Sequence, residues 1–297
     1  GPWPDPAPGG PLVEEVTGSL QEALNTNELT ACVLAAATLG VDDDAFWQMA
    51  HNALLTRADN LGPRHIADSL LTLATTQRCP IALLEGLQGA LPRVVESMGP
   101  DEALTCAWAL CALQMYPAST LPALVKRACA ERDDSSAGPL SELQTRQLRQ
   151  VLLTLDHEKA AAAAREAAAL TASAGARAVA SAVGGGERIR GSCSTTDEVG
   201  MLLTEAGVDF SSHEDAADGF YVVDFVVRVP NSTPRAVVLD HTSSADAVLP
   251  QDPWIFLKRR HLTHLGWPRV AWLPIRRWQR WSGEERQGFL IGLCSPD

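Results

Sequence analysis

Apolar residues in the first half of the chain recur at the three- and four-residue spacing of amphipathic helices, for example along residues 104–111. Gly-Pro steps at 62–63 and 99–100 separate these runs, and such steps end one helix and begin the next. The alternation of apolar and polar residues that is typical of strands does not occur in residues 12–157. The pattern therefore predicts an all-helical region over 12–157.

This helical region repeats itself. Three similar units begin at Asn27, Pro63 and Pro100, which gives spacings of 36 and then 37 residues. Each unit contains an apolar helix, a short turn and a second, amphipathic helix. Helix pairs at this period bury their apolar faces against neighbouring pairs, so the repeat predicts an α-solenoid, with an irregular helical bundle as the alternative. Residues 12–24 and 139–173 are interpreted as partial units at the two ends.

The pattern changes in the second half of the chain. Residues 158–197 are rich in alanine and glycine, which predicts a helix followed by a linker. Beyond them a strand–helix–strand order predicts a right-handed βαβ unit within a small α/β domain, residues 198–297. Residues 1–11 are rich in proline and glycine and predict a flexible tail. The predicted elements of the α/β domain are helices at 199–207, 254–265 and 284–293, strands at 221–229, 236–240 and 269–275, and a turn at 230–234.

Charge is unevenly distributed along the chain. The net charge of −12 argues against a general polyanion binder. Residues 257–286 nevertheless hold eight basic residues against two glutamates, a local balance of +6. Four of the eight tryptophans lie in residues 254–278. A basic segment with aromatic side chains is typical of a surface that contacts phosphates and stacks on unpaired bases.

The candidate RNA-binding residues come from the helix at 254–265 and from the basic, tryptophan-bearing turn after the third strand. A solvated charged face with tryptophans in the core is the alternative, and Trp254, Trp267 and Trp272 are assigned to the core because they occupy apolar faces. The candidates are Lys258, Arg259, Arg260, His264, Arg276, Arg277, Trp278, Arg280 and Trp281.

Several other chemistries find no support in the sequence. The seven cysteines are scattered without a CxxC motif, which argues against a zinc site or a disulfide framework. His261 and His264 lack a third metal ligand, so no metal site is predicted, and no cofactor motif occurs. The acidic run 42–44 is predicted to cap a helix. No apolar run is long enough to span a membrane.

Residues 199–293 contain VGMLLTEAGVDF, a strand with Asp224, a strand ending in AVVLD at Asp240, the LKRRHLTHLGW block and VAWLPIRRW. With these motifs the segment resembles the RAP domain of organellar RNA proteins. The helical units are similar to the heptatricopeptide-type repeats that precede RAP domains in apicomplexan and FAST-kinase-like mitochondrial proteins. The resemblance implies a restriction-endonuclease-like fold and an RNA-associated protein of the mitochondrion, with the plastid as the alternative.

The sequence departs from the RAP pattern where a metal-dependent nuclease would carry its ligands. Asp224 and Asp240 are the candidate carboxylates, but Thr242 stands two residues after Asp240, where such enzymes have a lysine. Val238 cannot bind a metal. Since metal-assisted hydrolysis needs the full ligand set and a charge stabiliser, the departure favours a binding module over an enzyme.

Basic residues are sparse in the helical units, although phosphate contacts supply much of the affinity for nucleic acid. We therefore expect the acidic repeats to face proteins and the C-terminal segment to face RNA. The predicted function is a non-catalytic, cofactor-free RNA-binding protein associated with ribosomal RNA, as a structural component of a mitochondrial ribosome. The alternatives are a free factor for RNA processing or stability, including a metal-dependent ribonuclease, and a protein-binding adaptor.

Overall fold

The computed structural model describes residues 24–130, 140–158, 194–216, 219–240 and 253–295. The protein is mostly helical, and its helical first half is followed by a small four-stranded mixed sheet. The predicted tail, the partial unit at 12–23 and most of the predicted linker lie outside the described residues. The second half of the partial unit at 139–173 also lies outside them.

The described part of the first half consists of seven α-helices, and no strand occurs within residues 24–130 and 140–158. Short 3-10 turns at Ala58–Asn60 and Val95–Ser97 follow the second helices of the first two units. The helices are α1 (Thr26–Thr38), α2 (Asp44–Arg57), α3 (Pro63–Thr76), α4 (Ile81–Val94), α5 (Pro100–Ala112), α6 (Thr120–Ala130) and α7 (Glu142–His157).

The first helices of successive units pack side by side. Helix α1 contacts α3, α3 contacts α5 and α5 contacts α7, while α2 contacts α4 on the other side. The shared core contains fully buried residues such as Ile66, Leu73 and Leu110, together with the thiols of Cys106 and Cys111. Burial raises the pKa of the Cys111 thiol to about 12, so this cysteine acts as a small core residue, as predicted.

Helix ends follow from local chemistry. Asp43 Oδ1 accepts hydrogen bonds from the backbone of Ala45 (2.9 Å) and Phe46 (3.1 Å), which confirms the predicted cap of α2. Asp42 and Asp44 also form ion pairs with Arg78 of the next unit, a contact that the capping prediction did not include.

An arginine near the end of the second helix of each unit reaches back to the preceding segment. Arg57 donates to the Leu24 carbonyl (2.8 Å) and Arg127 donates to the Met98 carbonyl (2.7 Å). Arg93 forms an ion pair with Asp59 across 3.2 Å. The three contacts occupy similar positions in the three units, although two go to backbone carbonyls and one to a carboxylate.

The second half begins with α8 (Ser194–Glu205) and a sheet of β1 (Asp209–Ala216), β2 (Tyr221–Arg228), β3 (Arg235–Asp240) and β4 (Arg269–Pro274). The strand order is β1-β2-β3-β4, antiparallel except for the parallel β3–β4 pair. The remaining helices are α9 (Pro253–His264), which lies between β3 and β4 in the chain, α10 (Ile275–Arg280) and α11 (Gly283–Cys294).

The predicted strands and helices of this half are confirmed, with bounds that differ by up to five residues at the start of α8, and there are two further differences. Strand β1 was missed because its sequence, DFSSHEDA, contains no β-branched residue. The predicted basic turn after β4 is the short helix α10, whose Ile275 and Trp278 are buried.

The sheet is covered on both faces. Val238 of β3 packs with Ile255 and Leu262 of α9, whereas Leu239 packs with Leu290 of α11 on the other face. Strand β2 changes faces at Asp224. Its earlier residues Tyr221 and Val223 belong to the α9 side, and its later residues Phe225 and Val227 belong to the α11 side. The opposing residue on β1, His213, adopts a left-handed backbone conformation with φ of 57° at the same point, while the β1–β2 register is the same on both sides of it.

Helix α9 joins the two halves. It contacts α5 and α7, and its fully buried Leu257 belongs to the core of the helical region. None of the described helices combines the length and apolarity that a membrane crossing requires.

Candidate nucleic-acid interface

Helix α10 carries an exposed basic face. Proline at position 274 precedes the helix, and the sequence IRRWQR turns Ile275 and Trp278 inward. Consequently Arg276, Arg277 and Arg280 are exposed. The side chain of Arg276 forms no ion pair with any described residue. This short helix therefore presents guanidinium groups to solvent from a rigid, buried base.

The two tryptophans of this segment differ in their surroundings. Trp278 is fully buried, and its indole N–H donates to Glu198 Oε2 of α8 (2.8 Å). The prediction that Trp278 could stack on a base is therefore wrong, because its ring is fully buried in the core. Trp281 is half-buried, with its ring centroid 5.5 Å from that of Phe289, and the guanidinium of Arg277 lies 5.6 Å above the Trp281 ring.

The predicted contact residues of α9 are not a continuous exposed patch. Lys258 is only 1% exposed, since it occupies the same helix stripe as Ile255 and Leu262, which face the sheet. The expectation that Lys258 lies on the surface is wrong. His264 is exposed and Arg259 is half-buried beside Arg269, on a different side of the helix from Lys258.

Arg260 is directed into the boundary between the two halves. Its guanidinium pairs with Glu158 at the end of α7 (2.6 Å) and donates to the Cys111 carbonyl at the end of α5 (2.8 Å). It also contacts Tyr116 Oη (3.1 Å), and the Tyr116 hydroxyl in turn donates to Glu158. Burial raises the pKa of Tyr116, so the phenol remains a donor. Arg260 was predicted to project with His264 toward RNA, but its charge is satisfied inside the fold.

A second polar network crosses the same boundary. Trp108 Nε1 donates to Gln150 Oε1 (2.6 Å), and Gln150 Nε2 donates to Tyr221 Oη (3.0 Å). Tyr221 Oη lies 2.7 Å from His261 Nδ1, and Thr154 Oγ1 lies 2.8 Å from His261 Nε2. The hydroxyl of Thr154 donates to the Gln150 carbonyl (2.9 Å), which leaves its oxygen to accept from His261.

The directions of these hydrogen bonds determine which ring nitrogen of His261 carries the proton. Nε2 carries the proton and donates to Thr154, and Nδ1 accepts from the Tyr221 hydroxyl. Burial, with a smaller contribution from the Arg260 charge, lowers the pKa of His261 to about 3. Both ring nitrogens of His261 are thus occupied within the fold, which leaves neither for a metal.

The candidate nuclease carboxylates are buried and hydrogen-bonded. Asp224 Oδ2 accepts from the Leu239 backbone N–H (2.9 Å), where the β2–β3 ladder ends. Asp240 Oδ2 accepts from the Trp272 indole (2.9 Å). No group of three or more metal-ligating side chains occurs among the described residues. Thr242 lies outside them.

The structure also groups basic residues that the sequence did not bring together. Arg235 at the start of β3 is the register partner of Arg269 at the start of β4, and both line one pocket with Arg259. Only Arg259 was a predicted site residue. The signal that was missed is that parallel strands place their first residues side by side.

Comparison of the sequence with models of protein families and with curated proteins yields no match.

Proposed function

We propose that this chain is a non-catalytic, organellar RNA-binding protein that contacts RNA through the exposed face of α10. The observation that carries the proposal is the set of exposed arginines at 276, 277 and 280 beside the half-buried Trp281. These charges stand on a rigid base in a chain whose net charge is −12.

The chemistry of this face suits single-stranded or looped RNA. Guanidinium groups contact phosphates, and binding then releases condensed counterions from the nucleic acid. The partly exposed Trp281 ring, with Arg277 above it, is a suitable platform for an unpaired base. The RNA-binding set that we propose is accordingly narrower than the nine residues predicted: Arg276, Arg277, Arg280 and Trp281, with His264 and Arg259 as more distant contacts.

We further propose that the helical region is an α-solenoid of heptatricopeptide-like repeats and that the α/β region is a RAP domain. Support for the first comes from the side-by-side packing of α1, α3, α5 and α7 and from the recurring arginine contacts between units. Support for the second comes from the RAP-like motifs, which lie on α8, β2, β3, α9, β4 and α10 in the expected order.

The proposal extends to location and partners. A RAP-type protein would act in the mitochondrion, or alternatively in the plastid, and this chain would reside on ribosomal RNA as a component of the mitochondrial ribosome. The engagement of Asp224 with the Leu239 backbone and of Asp240 with Trp272 supports binding without catalysis. A metal-dependent ribonuclease would need these carboxylates to turn toward a metal.

A protein-binding adaptor is the second candidate, and exposed apolar side chains in the helical region favour it. Leu39 is 81% exposed and Ile81 is 74% exposed, each at a helix end, and Leu143 is exposed near the start of α7. Large apolar side chains at such positions are suited to protein partners. The two candidates are compatible, since a ribosomal component contacts both proteins and RNA.

Sedimentation of organelle extracts at high salt tests the proposal. We expect the protein to travel with a ribosomal subunit, and crosslinking followed by sequencing to recover ribosomal RNA. Recovery of messenger or precursor RNA from light fractions would indicate a free processing factor. Crosslinks to proteins without any crosslink to RNA would favour the protein-binding adaptor and overturn the RNA-binding proposal.

A further inference from the structure

Helix α10 is too short to hold its own shape. It has six residues, Ile275–Arg280, and the proline before it provides no side-chain cap. An isolated helix needs roughly 12 to 15 residues before it is even marginally stable in water. The directions of the exposed Arg276, Arg277 and Arg280 therefore depend on the contacts that α10 makes with the rest of the fold.

Trp278 is the main anchor of α10. Its side chain is fully buried, with the ring centroid 6.0 Å from that of Trp281 and 6.3 Å from that of Phe289 of α11. The indole N–H donates to Glu198 Oε2 of α8 across 2.8 Å. A buried indole without an acceptor would leave a polar group unsatisfied, so Glu198 stabilises the inward position of Trp278.

Arg286 of α11 connects the same two residues a second time. Its Nε donates to the Trp278 carbonyl (3.1 Å), near the C-terminal end of α10, and its Nη1 forms an ion pair with Glu198 Oε1. The guanidinium also lies 5.4 Å from the centroid of the Trp278 ring. Glu198 thus uses one carboxylate oxygen for the indole and the other for Arg286. We call these three residues the α10 clamp.

The charges within the α10 clamp compensate each other. Glu198 and Arg286 are both half-buried, and each neutralises the other through their ion pair. A carboxylate without this partner would repel phosphate groups bound at the neighbouring arginines. The clamp therefore holds α10 in place without opposing a phosphate on its exposed face.

We propose that Glu198 is a positioning residue for RNA binding by α10. It holds the Trp278 ring inward, and Trp278 in turn sets the directions of the exposed arginines and of Trp281 on the same short segment. Glu198 acts through Trp278 and does not itself contact RNA. This role rests on the RNA binding proposed for α10.

Positioning and simple electrostatics predict opposite effects of removing Glu198. If only charge mattered, removal of a carboxylate near a phosphate-binding surface would strengthen RNA binding. If Glu198 positions α10, its removal weakens RNA binding although the chain becomes less negative. The sign of the change in affinity therefore separates the two explanations.

Fluorescence anisotropy of the full chain with a labelled oligouridine of about 12 nucleotides measures the affinity, since single-strand modules cover roughly 4 to 16 nucleotides. We expect Glu198→Ala to lose about fivefold or more, because a loosened α10 gives up a phosphate contact. Glu198→Gln keeps an acceptor for the indole and should bind within about twofold of the wild type. The matched control is Glu205→Ala, which removes an exposed carboxylate of the same helix outside the α10 clamp and should not lose affinity.

Hydrogen exchange followed by mass spectrometry gives a second readout that needs no RNA. In Glu198→Ala, exchange should become faster in a peptide covering residues 275–281 and stay unchanged in peptides from α1 to α7. Faster exchange throughout the chain would indicate a general loss of stability and overturn the positioning role.

The binding data separate failure of the positioning role from failure of the α10 proposal. Wild-type or tighter RNA binding by Glu198→Ala would overturn the positioning role. An equal loss in Glu198→Gln would also overturn it, since the lost charge rather than the lost hydrogen bond would then be responsible. If charge reversal of Arg276, Arg277 and Arg280 leaves RNA affinity unchanged, the α10 proposal fails and the positioning role falls with it. A loss in that reversal without a loss in Glu198→Ala overturns the positioning role alone.

Discussion

Helices α9 and α10 are close in the chain and both are rich in basic residues, yet they use their charges in opposite ways. In α9, Lys258 is buried against the sheet and Arg260 forms a buried ion pair with Glu158. In α10, Arg276, Arg277 and Arg280 are exposed. The comparison shows that charge density along a sequence does not identify a binding surface. The apolar neighbours of each charge, and what those neighbours pack against, decide its role.

The largest expected effect comes from breaking the buried ion pair. Arg260→Leu should lower the free energy of unfolding by roughly 3 to 5 kcal/mol, because Glu158 is left as a buried charge without its partner. Urea denaturation measures the change. Arg276→Leu, the matched exposed variant, should change the value by less than about 0.5 kcal/mol. Similar small changes in both variants would mean that Arg260 is as dispensable as a surface residue.

Lowering the pH should weaken the α9 boundary through His261. The pKa of His261 is about 3 in the folded chain against 6.5 for an ordinary histidine, so between these values only the unfolded chain takes up the proton. Stability is therefore complete above pH 6.5 and falls as the pH decreases. From pH 7.5 to 5 the loss from His261 should be about 2 kcal/mol.

The measurement is the free energy of unfolding at the two pH values in wild type, His261→Asn and His264→Asn. The exposed His264 is the control and should keep the wild-type pH dependence. His51, whose pKa is also lowered by burial, contributes with the same sign in all three proteins. If His261→Asn loses as much stability as the wild type, His261 is not the source of the pH dependence.

Charge reversal on α10 should weaken RNA binding without unfolding the chain. We expect the triple variant Arg276→Glu, Arg277→Glu, Arg280→Glu to lose tenfold or more in affinity, with the slope of log affinity against log salt decreasing by about two. The control reverses Arg64, Arg93 and Lys126 of the helical region, which changes the net charge equally. Equal losses of RNA affinity in both triple variants would mean that net charge alone governs binding, and that α10 is not the contact surface.

The smallest effect is expected for an exposed ion pair between repeats. Arg93→Gln breaks the contact with Asp59, whose side chain is 90% exposed, and should cost less than about 0.5 kcal/mol because solvent screens the pair. Comparison with Arg260→Leu by the same denaturation method sharpens the contrast between exposed and buried charges. A cost of several kcal/mol would show that the contacts between units, rather than the apolar layers, hold the stack together.

Much of the fold was predictable from local patterns. The Gly-Pro steps at 62–63 and 99–100 correctly predicted the starts of α3 and α5, and the acidic run 42–44 correctly predicted a helix cap, which the structure assigns to Asp43. The apolar strands β2 and β3 were predicted from their β-branched residues. Strand β1 was not, because its polar sequence becomes a strand only by pairing with β2. The change of face at Asp224 is likewise a property of the two paired strands.

The candidate site was predictable only in part. The basic residues at 276, 277 and 280 were identified correctly as an exposed group, whereas Lys258, Arg260 and Trp278 were not distinguishable from them by composition. The grouping of Arg235, Arg259 and Arg269 required the sheet register and the approach of α9.

The amino-acid sequence alone determined the helices of the first half, most of the order of elements in the α/β region and the concentration of basic residues near the C-terminus. These follow from spacing, capping and turn chemistry within a few residues, so they can be read without knowledge of distant contacts. Only the tertiary structure decided which charges remain exposed. Arg260 meets Glu158 across 102 positions of the chain, and His261 meets Thr154 across 107. Burial depends on such long-range contacts, and no local pattern encodes them.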